Sequence, residues 1–108
     1  MIFFAFLDIN PNAKGHTLCI PKIEVDKITD LDEETYLGLM RFSRKVAKAI
    51  EAAIDCERVG ITVIGLEVPH AHVHLIPLSG MKDATFQHKV ALEQNEFEAI
   101  AEKIRFKL

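Results

Sequence analysis

The sequence predicts an α+β fold: an antiparallel sheet of about four to five strands, a long helix packed on one face, and a C-terminal helix. Short apolar runs rich in Phe, Ile and Val alternate with turn-forming residues, which is typical of consecutive strands. Two longer stretches repeat apolar residues at helical spacing. Because one long helix interrupts strands that are otherwise joined by turns, the helices are expected on one side of an antiparallel sheet.

Composition bounds the class of protein. The 108 residues are the size of one domain, and 49% hydrophobic with 27% charged residues is a globular balance. A net charge of −3 without a long basic run argues against nucleic-acid binding. No apolar run approaches the roughly 20 residues of a membrane helix, and the opening residues lack the basic start of a signal peptide. Cys19 and Cys56 form no metal-type or disulfide framework, which favours the reducing cytoplasm.

The first half of the chain predicts two strands and the long helix. Ile2–Leu7 and His16–Ile20 are the strands, separated by a turn region rich in Asn, Pro and Gly. Thr29 or Asp30 is suited to cap the helix, which apolar spacing carries to about Ile54.

The second half predicts two more strands and the last helix. Val59–Ile64 is a β-branched run, and Val68–Ile76 follows after a tight connection. Asn95–Leu108 is amphipathic at helical spacing and forms the C-terminal helix.

Three histidines stand at alternate positions of the fourth strand: His70, His72 and His74. In a strand the side-chain period is two, so all three imidazoles are expected on one face, with the apolar residues between them under the long helix. Three adjacent like groups resist being charged together, so some are neutral at pH 7. A lone histidine such as His88 is more typical of an ordinary surface or core position.

Two kinds of chemistry suit such a row. Paired histidines can hold zinc, with His16 or Glu67 as a further ligand, although no glutamate or Cys-x-x-Cys follows at the spacing that familiar metal sites use. Alternatively, a neutral imidazole nitrogen of the middle histidine attacks a phosphorus centre. Its other nitrogen then has to donate its proton to a fixed acceptor.

The string from His70 to Pro77, His-Ala-His-Val-His-Leu-Ile-Pro, resembles the signature of the histidine triad (HIT) superfamily, in which apolar residues separate three histidines. A second block, from Phe6 to Lys22, is similar to the family's other hallmark: an Asp, a Pro, a Gly-His pair and an apolar strand ending in Pro-Lys. The two blocks stand in the family's order, and the resemblance covers about residues 4–77.

The resemblance implies a role for four histidines. His72 corresponds to the nucleophile that becomes nucleotidylated, and His74 to the residue that contacts the phosphate and helps the leaving group depart. His70 and His16 correspond to the supporting histidines that orient the row.

The resemblance also implies a substrate pocket. Asp8 corresponds to the carboxylate that accepts hydrogen bonds from the ribose, and Phe6 and Ile9 to the apolar walls around the base. Without the resemblance, Asp8 would be a turn residue and the two apolar side chains ordinary core. Glu67 lies near the position where a small hydroxyl residue often faces the phosphate, and a carboxylate there repels an anion unless it points away or is protonated.

Three departures from the family pattern have consequences. Because the first hallmark lies close to Met1, the N-terminal segment of the family is expected to be missing or shortened, and the loop Ile64–Pro69 lacks the usual Asn and Gln. Leu78 stands where many members have Arg. With less positive charge for a long phosphate chain, phosphoramidate substrates are favoured over dinucleoside polyphosphates.

The sequence therefore predicts a single HIT-like domain, 1–108, that hydrolyses or transfers at the α-phosphate of nucleoside 5′-phosphate derivatives, with a purine favoured. The reaction would pass through a covalent nucleotidyl-histidine, without a cofactor or metal. The alternatives are a non-catalytic nucleotide-binding module and a metal hydrolase with histidine ligands. The family implies a homodimer, and aromatic residues of the long helix supply surface for one.

Overall fold

A computed structural model describes residues 2–108. It confirms the α+β fold: four strands form one antiparallel sheet in the order β1-β2-β4-β3. The elements, in chain order, are the strands β1 (Phe3–Leu7) and β2 (Thr17–Pro21), the helix α1 (Glu33–Ala53), the strands β3 (Arg58–Thr62) and β4 (Val73–Leu78), and the helix α2 (Gln94–Lys107). Short 3-10 turns occupy Ile28–Asp30 and Met81–Ala84.

The register of the sheet places one residue of each strand in a single row. Leu18 pairs with His74 and with Phe6, and His74 also pairs with Thr62 on the other side. Directly paired residues point to the same face of a sheet. Phe6, Leu18, His74 and Thr62 therefore share one face.

The opposite face of β4 carries the core. Val73 and Leu75 are completely buried, in one cluster with Leu39 and Ile50 of α1. This confirms that the apolar residues between the histidines pack under the long helix. No helix among residues 2–108 is long and apolar enough to cross a membrane.

The start of α1 differs from the expectation. Thr29 and Asp30 do not cap it, because Ile28–Asp30 form their own 3-10 turn and the chain at the buried Leu31 is extended. The N-cap is Asp32, which makes no side-chain capping bond. The helix therefore begins at Glu33, after the extended backbone at Leu31. Its end agrees with the prediction, since Ile54 is the C-cap.

The fourth strand begins later than predicted, at Val73 instead of Val68. The Ala71 N–H donates to the Val25 carbonyl at 2.7 Å, and the His70 N–H donates to the Val68 carbonyl at 2.9 Å. These bonds hold the backbone in a bend. The prediction of a single strand that carries all three histidines is therefore wrong, because only His74 lies in β4 and the other two precede it.

Candidate active site

A cavity of about 640 Å³ opens beside His72 and His74. Four parts of the chain contribute to it: the turn after β1, the strands β2 and β4, the segment between β3 and β4, and the segment before α2. It is lined by Asp8, Asn10, Leu18, Ile64, Gly65, Leu66, Glu67, Val68, His72, His74, Thr85, Phe86 and Lys89. Of the predicted site residues, it brings together Asp8, Glu67, His72 and His74.

One hydrogen bond fixes the tautomer of His72. Its Nδ1 lies 2.7 Å from the backbone carbonyl oxygen of His70. A carbonyl oxygen only accepts, so Nδ1 carries the proton. In the neutral ring the lone pair is then on Nε2, the arrangement that a nucleophilic imidazole requires.

His70 supports the site through its backbone. Its Nε2 donates to the carbonyl of Pro21 at 2.8 Å, and its ring does not line the cavity. The imidazole ties the bend to the end of β2, and the carbonyl of the same residue accepts from His72. Among the predicted catalytic histidines, the His70 ring therefore lies outside the cavity and contacts the end of β2.

A chain of hydrogen bonds orients His74. The Asn12 backbone N–H donates to Nδ1 of His16 at 2.9 Å, so the neutral His16 carries its proton on Nε2. That Nε2 lies 3.0 Å from Nδ1 of His74 and donates to it. His74, accepting at Nδ1, keeps its own proton on Nε2. The result is a neutral histidine that can donate to an oxygen in the cavity.

Burial keeps both of these rings neutral. Desolvation lowers the pKa of His16 to about 4, and His74 and Lys89 lower it further while Asp8 raises it. Desolvation also lowers the pKa of His74 to about 4, followed by the charge of His72. Both rings are therefore uncharged at pH 7, as the hydrogen-bond chain requires.

These pKa values predict that the free energy of unfolding falls as the pH is lowered from about 6.5 towards 4. Both histidines titrate near 6.5 in the unfolded chain, so in this window the unfolded state binds protons that the folded state does not. Their contribution is complete above about pH 6.5 and is lost as the pH approaches 4. Urea unfolding between about pH 5 and 7 measures it, and we expect a loss of a few kcal/mol.

A matched variant separates this effect from the titration of carboxylates. His16→Leu removes one of the two groups, so its unfolding free energy should depend less on pH over the same window. A wild-type stability that stays level or rises as the pH falls through this range would contradict neutral, buried histidines.

Aromatic packing closes one side of the site. The ring of Phe86 lies edge-on to His74, with 4.9 Å between centroids, and to His16, with 6.0 Å. Phe86 has a φ of 63°, a left-handed conformation that costs free energy for a residue with a side chain. Packing against the histidines stabilises that conformation. The sequence pattern did not identify Phe86.

Asn12 joins this segment to the histidine chain. It is fully buried; its side-chain amide donates to the Asp83 carbonyl at 2.9 Å, and its Oδ1 accepts from Lys89 at 2.8 Å. Its backbone N–H serves His16. The sequence marked Asn12 only as part of a turn, because its partners lie more than 70 residues away.

Asp8 has two structural partners. Its Oδ1 accepts the Asn10 N–H at 2.9 Å, the turn interaction expected of such an Asp, and its Oδ2 lies 3.6 Å from Nε2 of His16. Asp8, His16 and His74 together offer three ligand atoms within 4.8 Å of one another, a group that suits a metal ion. An ion bound to Nε2 of His16 would replace the proton that now orients His74. The metal site predicted from the sequence used two of the three clustered histidines with His16 or Glu67. The group observed here contains only His74 of those three, together with His16 and Asp8.

The remaining predicted pocket residues lie at or beyond the rim. Phe6 is 47% exposed and Ile9 is 90% exposed, so neither is a core residue, and neither lines the cavity. Phe6 shares the sheet face of Leu18 and His74. Glu67 does line the cavity, so a negative charge is present on its wall.

Comparisons with known proteins give matches to one domain family. The chain matches the model of the HIT domain over residues 2–81. It is 39% identical to adenosine 5′-monophosphoramidase of Saccharomyces cerevisiae over 77 residues, covering 68% of this chain and 48% of that protein. It is 34% identical to the asymmetrical bis(5′-nucleosyl)-tetraphosphatase of Schizosaccharomyces pombe over 101 residues, covering 85% and 54%. The chain thus spans about half the length of these curated relatives.

A solved structure shows the same fold. The hypothetical histidine triad nucleotide-binding protein from Sulfolobus tokodaii superposes with a TM-score of 0.82 at 27% identity. The superposition covers 99% of this chain and 78% of that one. The similarity therefore includes α2 and the segment before it, which lie beyond the family match.

Proposed function

The chain belongs to the HIT domain family, and on that premise we propose that it is a hydrolase or transferase acting on the α-phosphate of nucleoside 5′-phosphate derivatives. The observation that carries the proposal is the pairing of two histidines whose hydrogen bonds favour opposite tautomers. His72 has its lone pair on Nε2, and His74, whose ring lies 4.9 Å away, has its proton there. A nucleophile and a proton donor therefore line the same cavity.

The proposed reaction has two steps. Nε2 of His72 forms a bond to the α-phosphorus, the bond to the leaving group breaks, and the leaving group departs with its electron pair while accepting a hydrogen bond from Nε2 of His74. Water then attacks the phosphorus, the bond to His72 breaks, and the proton released by that water passes to the leaving group or to solvent. The products are the free leaving group and the nucleoside monophosphate, and both histidines return to their starting tautomers.

The nucleoside end of the substrate is proposed to lie towards the end of β1. Asp8 would accept from the ribose hydroxyls, since it lines the cavity and is partly exposed. Phe6 and Ile9 are exposed apolar side chains close to it in sequence, and would cover a purine base. Glu67 would lie beside the phosphate or the leaving group.

Two substrate classes remain in the proposal. The absence of an Arg at Leu78 favours phosphoramidates, whose leaving group needs no additional positive charge. Lys89, however, brings a cation into the cavity from a part of the chain that the family pattern does not cover. Relatives named for each activity, the phosphoramidase and the tetraphosphatase, are similar to this chain.

The test is turnover of adenosine 5′-phosphoramidate and of a dinucleoside tetraphosphate, each with and without a chelator. Release of the nucleoside monophosphate that is unchanged by chelation supports the proposal. Activity that chelation abolishes would replace it by the metal hydrolase, for which Asp8, His16 and His74 are the available ligands. Nucleotide binding without turnover of either substrate would replace it by the binding module.

We also propose that the chain forms a homodimer in the cytoplasm. Tyr36 and Leu37 on α1 and Phe4 on β1 are large apolar side chains left between 39% and 48% exposed, which suits an interface. Both cysteines are free thiols, which suits a reducing compartment. Sedimentation at micromolar concentration should give a dimer, and a monomer alone would contradict it.

A further inference from the structure

The charges on the cavity wall are unbalanced for a phosphate ligand. Two carboxylates, Asp8 and Glu67, line it, and the histidines His16 and His74 are held neutral by burial. Within residues 2–108, Lys89 is the one lysine or arginine that lines the cavity. An anionic substrate therefore needs the charge of Lys89 to offset those of the carboxylates.

The position of Lys89 is fixed without neutralising its charge. Its Nζ donates to Oδ1 of Asn12 at 2.8 Å and to the backbone carbonyl of Asn10 at 3.1 Å, and both acceptors are uncharged. In the described part of the chain no carboxylate lies within ion-pair distance of it. An ammonium group has three donors, so one remains for a ligand.

The backbone that carries Lys89 is held against the histidines. The Val90 N–H donates to the Pro11 carbonyl at 2.9 Å, and the Lys89 ammonium lies 5.0 Å from the centroid of Phe86, whose ring packs on His74. Contacts with Asn10, Asn12 and Phe86 therefore hold Lys89 on the same side of the cavity as His74.

We propose that Lys89 is a phosphate-binding residue, whose ammonium group donates to a nonbridging phosphate oxygen of the bound nucleotide. The inference rests on the proposed function and names the cation that this site uses. A charge-assisted hydrogen bond to a phosphate oxygen is stronger than one between neutral partners, and in this cavity it also offsets Asp8 and Glu67. Lys89 lies outside the residues that match the HIT domain, so its role belongs to the segment before α2.

The test compares ligands with and without a phosphate. AMP and GMP, each beside its nucleoside, are titrated by calorimetry into the wild type, Lys89→Met and Lys89→Arg. Lys82→Met is the matched control, because Lys82 is an exposed lysine of the same segment that does not line the cavity. We expect Lys89→Met to weaken binding of the monophosphate by about tenfold or more and to leave the nucleoside unchanged.

Two further readouts separate phosphate binding from a purely structural role. Lys89→Arg should restore much of the affinity for the monophosphate, because it keeps the charge. The affinity of the wild type should also fall more steeply with added salt than that of Lys89→Met.

The outcomes are distinguishable. If Lys89→Met binds the monophosphate as the wild type does, or loses the nucleoside by the same factor, then Lys89 is structural and the inference is wrong while the proposed function stands. If the wild type binds neither AMP nor GMP, the proposed function itself fails.

Discussion

Replacing His72 by alanine is expected to lower kcat by at least about a thousandfold on any nucleotide that the wild type turns over. The reason is that Nε2 of His72 is the atom proposed to form the bond to phosphorus, and its tautomer is fixed for that purpose by the His70 carbonyl. The fold should be unaffected, because the ring is partly exposed and its only hydrogen bond within the described chain is that one. Steady-state kinetics measures kcat, and circular dichroism shows whether the variant is folded.

His88→Ala is the matched control for this variant. His88 is exposed and does not line the cavity, so its removal should leave kcat within a factor of about two. If His72→Ala retained more than a few per cent of the activity, the attack would have to come from another group or from water directly.

His16→Leu is expected to lower kcat by about a hundredfold with little change in nucleotide affinity. His16 donates from Nε2 to Nδ1 of His74, and this bond keeps the proton of His74 on Nε2. A leucine fills the space without donating, so the tautomers of His74 interconvert and the donor for the leaving group is present only part of the time. The expected signature is a fall in kcat without a comparable rise in KM.

His16→Gln tests whether the donor or the shape matters. The glutamine amide can donate to His74 from near the position of Nε2, so we expect it to recover at least about a tenth of the wild-type kcat. Equal activity of the leucine and glutamine variants would rule out the proton-orienting role. Each variant is compared at a temperature where its unfolding curve shows it folded, because the Asn12 N–H loses its acceptor in the leucine variant.

Local patterns were sufficient to predict the architecture and the histidines. Alternation of apolar residues in β4 placed Val73 and Leu75 under α1, because burial on one face imposes a two-residue period. The clustering of histidines, which has no packing explanation, pointed to His72 and His74. The turn block before β2 led to His16 and Asp8 through the family resemblance.

Interactions distant in sequence decided what the patterns missed. The strand starts at Val73 because Ala71 bonds to Val25, a partner 46 residues away. Phe86 lies at the cavity because its ring packs on His16 and His74. Lys89 lies there because it donates to Asn12, a partner more than 70 residues away in the sequence. Such contacts leave no periodicity in the sequence. From the sequence, Leu78 in place of the usual Arg indicated a site with little positive charge. That prediction overlooked Lys89, which lines the cavity and offsets the missing charge.

The central claim is that Nε2 of His72 forms a covalent bond to the nucleotide. The most direct measurement is intact-protein and peptide mass spectrometry after brief exposure to adenosine 5′-phosphoramidate, quenched near neutral pH. We expect one adenylyl group per chain, located on His72 and absent from His72→Ala. Turnover without an adduct in the wild type, or an adduct on another residue, would contradict it.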